Sequence, residues 1–200
     1  MTKMNKRKRC SAEAAGFSAP ELLIVMAIIG ILSAIGVPNF LRSLPERRLA
    51  NATRNLYADF QKARLFAVRN NTNAMFSFAP AADPPIYTYD DAGGNGVDGN
   101  TTVRDLTEYG AVRYGCDVTN TDWNDDPLAT GTKVTFTNNE VRFTSRGLAE
   151  MKDASDSFQM LAVEAGAFLQ SDNDQSVCFA VTVTSFGAAK IRKFSDGIWK

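Results

Sequence analysis

From Leu22 to Leu41 the chain runs for twenty residues without a charged side chain. A helix rises about 1.5 Å per residue, so this run spans about 30 Å, the thickness of one bilayer core. The length is enough for one bilayer crossing. Lys3, Lys6, Arg7, Lys8 and Arg9 precede it against Glu13 alone, which puts the head at +4; the chain totals +0, so the remainder carries −4. Basic residues before an apolar run keep the N-terminus cytoplasmic and send the rest outside. An ordinary secretory signal fits poorly. The run is long, no small-x-small site follows it, and the small-residue stretch AEAAG stands before it instead.

At the edge of the run sits one carboxylate, Glu21. A charge bordering hydrocarbon is expensive, and glutamate is too short to snorkel well, so the position reads as functional. A positive partner can be made by cutting between Gly16 and Phe17. The new α-amino group then lies four residues from Glu21, one helical turn away, on the same chain or on a neighbouring one.

The stretch GFSAPELLIVMAIIGILSAIGVPNF resembles the class III signal segment of type IV pilins and type II secretion pseudopilins. The resemblance implies that a prepilin peptidase cuts after Gly16 and methylates the new N-terminal Phe17. It implies that Glu21 pairs with the N-terminal amine of a neighbouring subunit during filament assembly. Gly30 and Pro38 match the family's glycine and proline within the helix. Ala19-Pro20 departs from the usual pair before the glutamate, and proline in a first helical turn is tolerated because its missing N–H is unbonded there anyway. The implied partners are other pilins or pseudopilins, the peptidase and an inner-membrane assembly platform.

Beyond Pro38, Leu49, Thr53, Leu56, Phe60, Ala63 and Ala67 recur at three- and four-residue steps, with Arg47, Arg48, Arg54, Asp59, Lys62 and Arg64 mostly between them. This predicts an amphipathic helix ending near Asn70-Asn71, bent or locally broken at Pro38 and Pro45. The arginines read as a solvated face or as a subunit contact. From Ala74 the texture changes to short runs rich in Val, Phe, Tyr and Thr: MFSFA, IYTY, YGAVRYG, KVTFT, EVRFTS, FQMLAV, SVCFAVTVTS and AKIRKF. One or two antiparallel sheets wrapped on the helix are expected, with a last hairpin turning near Phe186-Gly187-Ala188. The fold class is α+β, pilin-like by resemblance: a leader over 1–16, a helix over 17–71 with its membrane part at 22–41, and a β-rich periplasmic head over 72–200. EVRFTSRGLA, with its turn from Phe143 to Gly147, and TVTSFGAAKIRKF look like the H-type minor pseudopilins and FimT-like minor pilins. That branch implies a minor subunit of a secretion pseudopilus or type IV pilus, or a tip module that binds DNA or a surface.

Asp90, Asp91, Asn95 and Asp98 offer oxygen ligands on a glycine-rich loop and suit calcium, or else cap a polar turn. No cofactor is required by the reading. Trp123, in the acidic stretch DVTNTDWNDDPLATG, is expected to be exposed, against a neighbouring subunit or folded onto its own domain. Cys116 and Cys178 either pair in an oxidising compartment or stay as buried thiols. Lys190, Arg192 and Lys193 form a basic cluster, and strand alternation separates Lys193 from the other two. Three charges bind phosphate weakly, and the acidic remainder of the chain opposes nucleic acid. The chain has no histidine, no GxSxG, no P-loop and no CxxC. It reads as a substrate of processing enzymes, not as an enzyme.

Overall fold

The computed structural model describes residues 17–90, 101–117, 121–123, 133–153 and 155–200. The chain divides after Arg42 into two compact units. One long helix, α1 (Ala19–Arg69), contributes to both.

At the start of α1 the Leu22 amide donates to the Ser18 carbonyl, 3.1 Å away. Ser18 is therefore the cap, and Pro20 lies in the first turn, where its missing N–H costs nothing. Of the bend or local break expected at Pro38 and Pro45, the break does not occur: α1 runs through both. Each removes one donor, leaving the Ala34 and Leu41 carbonyls without their usual partner, while the flanking bonds of the ladder continue. The C-terminus closes with Asn71 at φ +51°, the Asn71 amide on the Val68 carbonyl and the Thr72 amide on the Ala67 carbonyl. This is the double bond pattern of a left-handed C-terminal cap, which asparagine tolerates better than most side chains.

Eleven strands follow among the described residues: β1 (Ala74–Ala79), β2 (Ile86–Asp90), β3 (Thr101–Asp105), β4 (Val112–Tyr114), β5 (Glu140–Phe143), β6 (Ala149–Lys152), β7 (Phe158–Met160), β8 (Ala165–Ser171), β9 (Cys178–Val183), β10 (Ala189–Ser195) and β11 (Ile198–Trp199). They form two antiparallel sheets, ordered β3-β2-β1-β5-β6-β7 and β11-β10-β9-β8-β4. KVTFT, expected as a strand, contributes an isolated bridge at Val134 and a 310 turn from Thr137.

Leu49, Ala52, Thr53, Leu56, Phe60, Ala63 and Ala67 of α1 are buried. The first sheet meets them with alternate residues: Ala74, Phe76 and Phe78 of β1, Tyr87 and Tyr89 of β2, Val141 and Phe143 of β5. Phe60 stacks on Phe76 with ring centres 4.4 Å apart. Strand register sets Phe76 opposite Tyr89 and Phe78 opposite Tyr87, so the aromatic layer is built from cross-strand pairs. In the second sheet the central strands β8 and β9 are buried on both faces. Ala165, Ala167 and Leu169 of β8 join the main core, whereas Phe168 belongs to a smaller cluster with Cys116, Cys178, Ala180 and Phe194. Successive residues point to opposite faces, so all seven residues of β8 are buried.

Candidate functional site

In the first unit Phe17 precedes the helix and is 79% exposed. Glu21 lies in the first turn of α1, three residues after the cap. That placement suits a carboxylate on its own, because unpaired amides and the positive end of the helix dipole gather there. A second positive group four residues earlier would add to an already favourable site. Leu22, Ile24, Val25, Ile28, Ile35 and Phe40 are all exposed, with the other large apolar residues of this half. The helix is long and apolar enough to cross a membrane. Gly30 has open space around its α-carbon, so no packing inside this chain requires a glycine there. Gly16 and the leader lie outside the described residues.

In the second unit a charge that sequence periodicity placed among polar positions turns inward. Asp59 is 2% exposed. Its carboxylate accepts from Tyr87 Oη at 3.0 Å, Tyr89 Oη at 3.3 Å, Arg104 Nε at 3.2 Å and Lys62 Nζ at 2.9 Å. Four donors on two oxygens are what an ionised buried carboxylate needs. The hydrogen bond to Asp59, with its charge, holds the Lys62 ammonium above its ordinary value. Burial first, and the charge of Asp59 next, push the Tyr87 hydroxyl far above the usual tyrosine range. Tyr87 therefore stays a neutral donor.

Arg64 makes a second link. Its Nε donates to the Gly147 carbonyl at 3.1 Å and its Nη2 to the Phe186 carbonyl at 3.0 Å. The two carbonyls belong to turns of the same sequence type, Thr144-Ser-Arg-Gly147 and Thr184-Ser-Phe-Gly187. In each, the glycine amide returns to the threonine carbonyl at 2.8 Å, and the glycine φ is positive, +76° and +69°. The Ala149 amide donates to the Ser185 carbonyl, tying the turns together. Phe143 leads into the first turn and Phe186 forms part of the second, where the last hairpin reverses between β9 and β10.

Cys116 and Cys178 form a disulfide, Cα atoms 5.6 Å apart. Around it Trp123 stacks on Phe168 at 5.6 Å, and Trp199 meets both edge-on. Trp123 is thus packed on its own domain, one of its two expected placements, half-buried instead of exposed, with the Arg192 guanidinium 5.5 Å above its ring. Arg192 is bound to Glu164 through both carboxylate oxygens, at 3.1 and 3.0 Å. Burial raises the Glu164 carboxyl, but hydrogen bonds from Arg192 and Thr182 and the Arg192 charge win and leave it below its ordinary value. Lys193 is bound to Glu46 at 2.5 Å. Lys190, the third of the basic trio, is exposed, and its charge reaches Glu164 without a close ion pair. Asp91, Asn95 and Asp98 lie outside the described residues, and Asp90 ends β2. Among the described residues no group of three carboxylate, cysteine or histidine side chains is placed to hold a metal ion.

The sequence reading missed Glu46, Asp59, Arg64 and Glu164 as partners. Each meets a residue at least 28 positions away, and no local pattern carries such a pairing.

The chain is 34% identical over 84 residues to the type IV major pilin protein PilA of Myxococcus xanthus, a match spanning 40% of this chain and 36% of that pilin. The chain thus covers about a third of the length of the curated relative it matches. With the fold, this similarity supports a pilin-like chain. No protein-family model matches the chain, and no solved structure matches it.

Proposed function

We propose that this chain is a structural subunit of a bacterial filament, a minor pseudopilin of a type II secretion system or a minor pilin of a related type IV pilus. It is held in the inner membrane by the apolar half of α1, with its head in the periplasm, until the assembly platform lifts it into the filament. The observation that carries this reading is Glu21: one carboxylate at the start of an apolar helix, five residues after Gly16. The Phe143–Gly147 turn and the closing hairpin support a place in the H-type branch. A second reading, a main building subunit, is favoured by the relative's being a major pilin. The tip-module alternative with DNA as ligand has less support, since Arg192 and Lys193 are engaged by Glu164 and Glu46.

In this mechanism a prepilin peptidase removes residues 1–16 and Phe17 receives a methyl group. The new ammonium and a neighbour's Glu21 neutralise one another inside the apolar filament core, where each alone would cost several kcal/mol. The head contributes no chemistry.

Intact-mass analysis of protein from the native membrane tests the reading. A mass matching a chain that starts at N-methylated Phe17 is expected. A chain still carrying residues 1–16 would make it a plain membrane-anchored domain, and one beginning near residue 40 would make it a secreted protein.

A further inference from the structure

Where α1 passes Leu41 the apolar run gives way to arginine. From Arg42 to Ala58 the chain carries Arg42, Arg47, Arg48 and Arg54 against one carboxylate, Glu46. Lys193 takes that carboxylate. Arg42, Arg47 and Arg48 are exposed and make no ion pair or hydrogen bond among the described residues; Arg48 lies against Gly110 with its guanidinium unpaired. They stand one, six and seven residues past Leu41. At about 1.5 Å per residue all three fall within about 11 Å of the end of the run. A headgroup layer is about 5 to 7 Å deep on each side of the hydrocarbon. Side chains of a helix lean toward its N-terminus, here toward the apolar run, and a long arginine stem reaches back across the difference.

The spacing of the three arginines suits a lipid surface better than a protein partner. At 100° per residue they stand about 140°, 100° and 120° apart around the helix. A docked protein meets a helix from one side, whereas a helix leaving a bilayer has phosphates on every side. Basic residues beyond the span also oppose the bias that keeps lysine and arginine cytoplasmic. In the proposed orientation the five cations of residues 1–16 outnumber them and set the topology. Cations kept in place against that bias need a use. We infer that Arg42, Arg47 and Arg48 form a collar on α1 that binds the phosphate groups of anionic phospholipids at the membrane surface. Each arginine near an anionic surface adds attraction, and the fork of a guanidinium fits phosphate oxygens. The collar fixes the depth of α1 in the bilayer and adds an electrostatic hold on the waiting subunit. It rests on the filament reading only for which leaflet is met.

The test uses the full chain purified in neutral detergent, with bound lipid counted by native mass spectrometry during titration with phosphatidylglycerol or phosphatidylcholine. Wild type should bind phosphatidylglycerol at least about tenfold more tightly than phosphatidylcholine. The triple variant Arg42→Gln, Arg47→Gln, Arg48→Gln should bind phosphatidylglycerol at least about tenfold more weakly than wild type. The readout is the difference between variants, to which any cations of residues 1–16 contribute equally. The triple lysine variant should keep most of the preference, which excludes a folding defect as the cause. Arg54→Gln with Arg69→Gln, thirteen and twenty-eight residues past Leu41, should leave it unchanged, because those positions lie beyond the headgroups. No preference in wild type, or an equal loss in the two glutamine sets, overturns the inference. So does displacement of phosphatidylglycerol by glycerol phosphate at equal concentration, which would assign the arginines to a free phosphate. Binding of a short DNA duplex that the triple glutamine variant loses, with its lipid preference intact, overturns it too. The filament reading fails separately, if the native chain does not start at N-methylated Phe17 while the arginine-dependent preference persists.

Discussion

The backbone of Gly187 lies against the carbonyl oxygen of Gly147, so closely that a β-carbon on Gly187 would collide with it. Gly187 also sits at φ +69°, where an L side chain is strained. Gly187→Ala should therefore combine strain with a clash against immovable backbone, costing roughly 2 to 4 kcal/mol. Gly197→Ala, at φ +83° with nothing within 4 Å, meets only the strain and should cost roughly 1 kcal/mol. Urea unfolding of the two variants side by side checks the argument; equal losses would remove the turn-to-turn contact from it.

Asp59 is held by two tyrosine hydroxyls and two cations. Asp59→Ala leaves both hydroxyls and the Arg104 charge without their acceptor and should cost about 3 kcal/mol, in the range seen when one member of a buried pair is removed. Tyr87→Phe removes one donor of four and should cost about 1 kcal/mol. A smaller loss for Asp59→Ala than for Tyr87→Phe, read from denaturant midpoints, would mean that the carboxylate is not the organising group.

The disulfide closes a separation of 62 residues. In the chain-entropy account a loop of that size stabilises by about 4 kcal/mol. Reduction, or the Cys116→Ser, Cys178→Ser double variant, should lower the unfolding midpoint markedly. It should also change tryptophan emission, because Trp123 and Trp199 pack against the same small cluster. Unaltered stability on complete reduction would show that the aromatic packing alone holds the C-terminal strands.

Glu164 sets a pH dependence whose sign follows from its lowered folded-state value. A depressed carboxyl contributes stability that is present above its unfolded value near 4.5 and is lost as pH falls through the folded value. Glu164→Gln should thus be less stable than wild type at pH 7, by roughly 1 kcal/mol. The gap should narrow on acidification below pH 4.5. Thermal scans at pH 7 and at acid pH measure it, and a gap that widens in acid contradicts the assignment.

Local pattern made the helix legible. Leu49, Thr53, Leu56, Phe60, Ala63 and Ala67 stand at helical spacing and all six are buried. The β1, β2 and β9 runs were visible because their Val, Phe and Tyr content is what a pleated, packed surface selects. β8, AGAFLQS, was not. It has no β-branched residue, and it is buried on both faces, so neither composition nor alternation marks it. Gly166 fits there because β9 backbone passes close by, a non-local reason invisible in a window of neighbours. Asp59 escaped likewise: its tyrosine partners lie 28 and 30 residues on. At the candidate site the reading rests almost wholly on the stretch from Gly16 to Phe40, since the head's contacts are made between distant residues.

One helix answers to two kinds of measurement. From Leu49 to Ala67 a lost methyl group leaves a void, and a melting curve will register it. From Leu22 to Leu41 the large apolar side chains stand exposed, so a lost methyl group opens no interior void. Substitutions there should pass unseen in a calorimeter and appear instead as a change in where the molecule resides. For that half, sequence is written in the terms of solubility: the surroundings supply the missing interior, and to exchange one set of surroundings for another is to refold nothing at all.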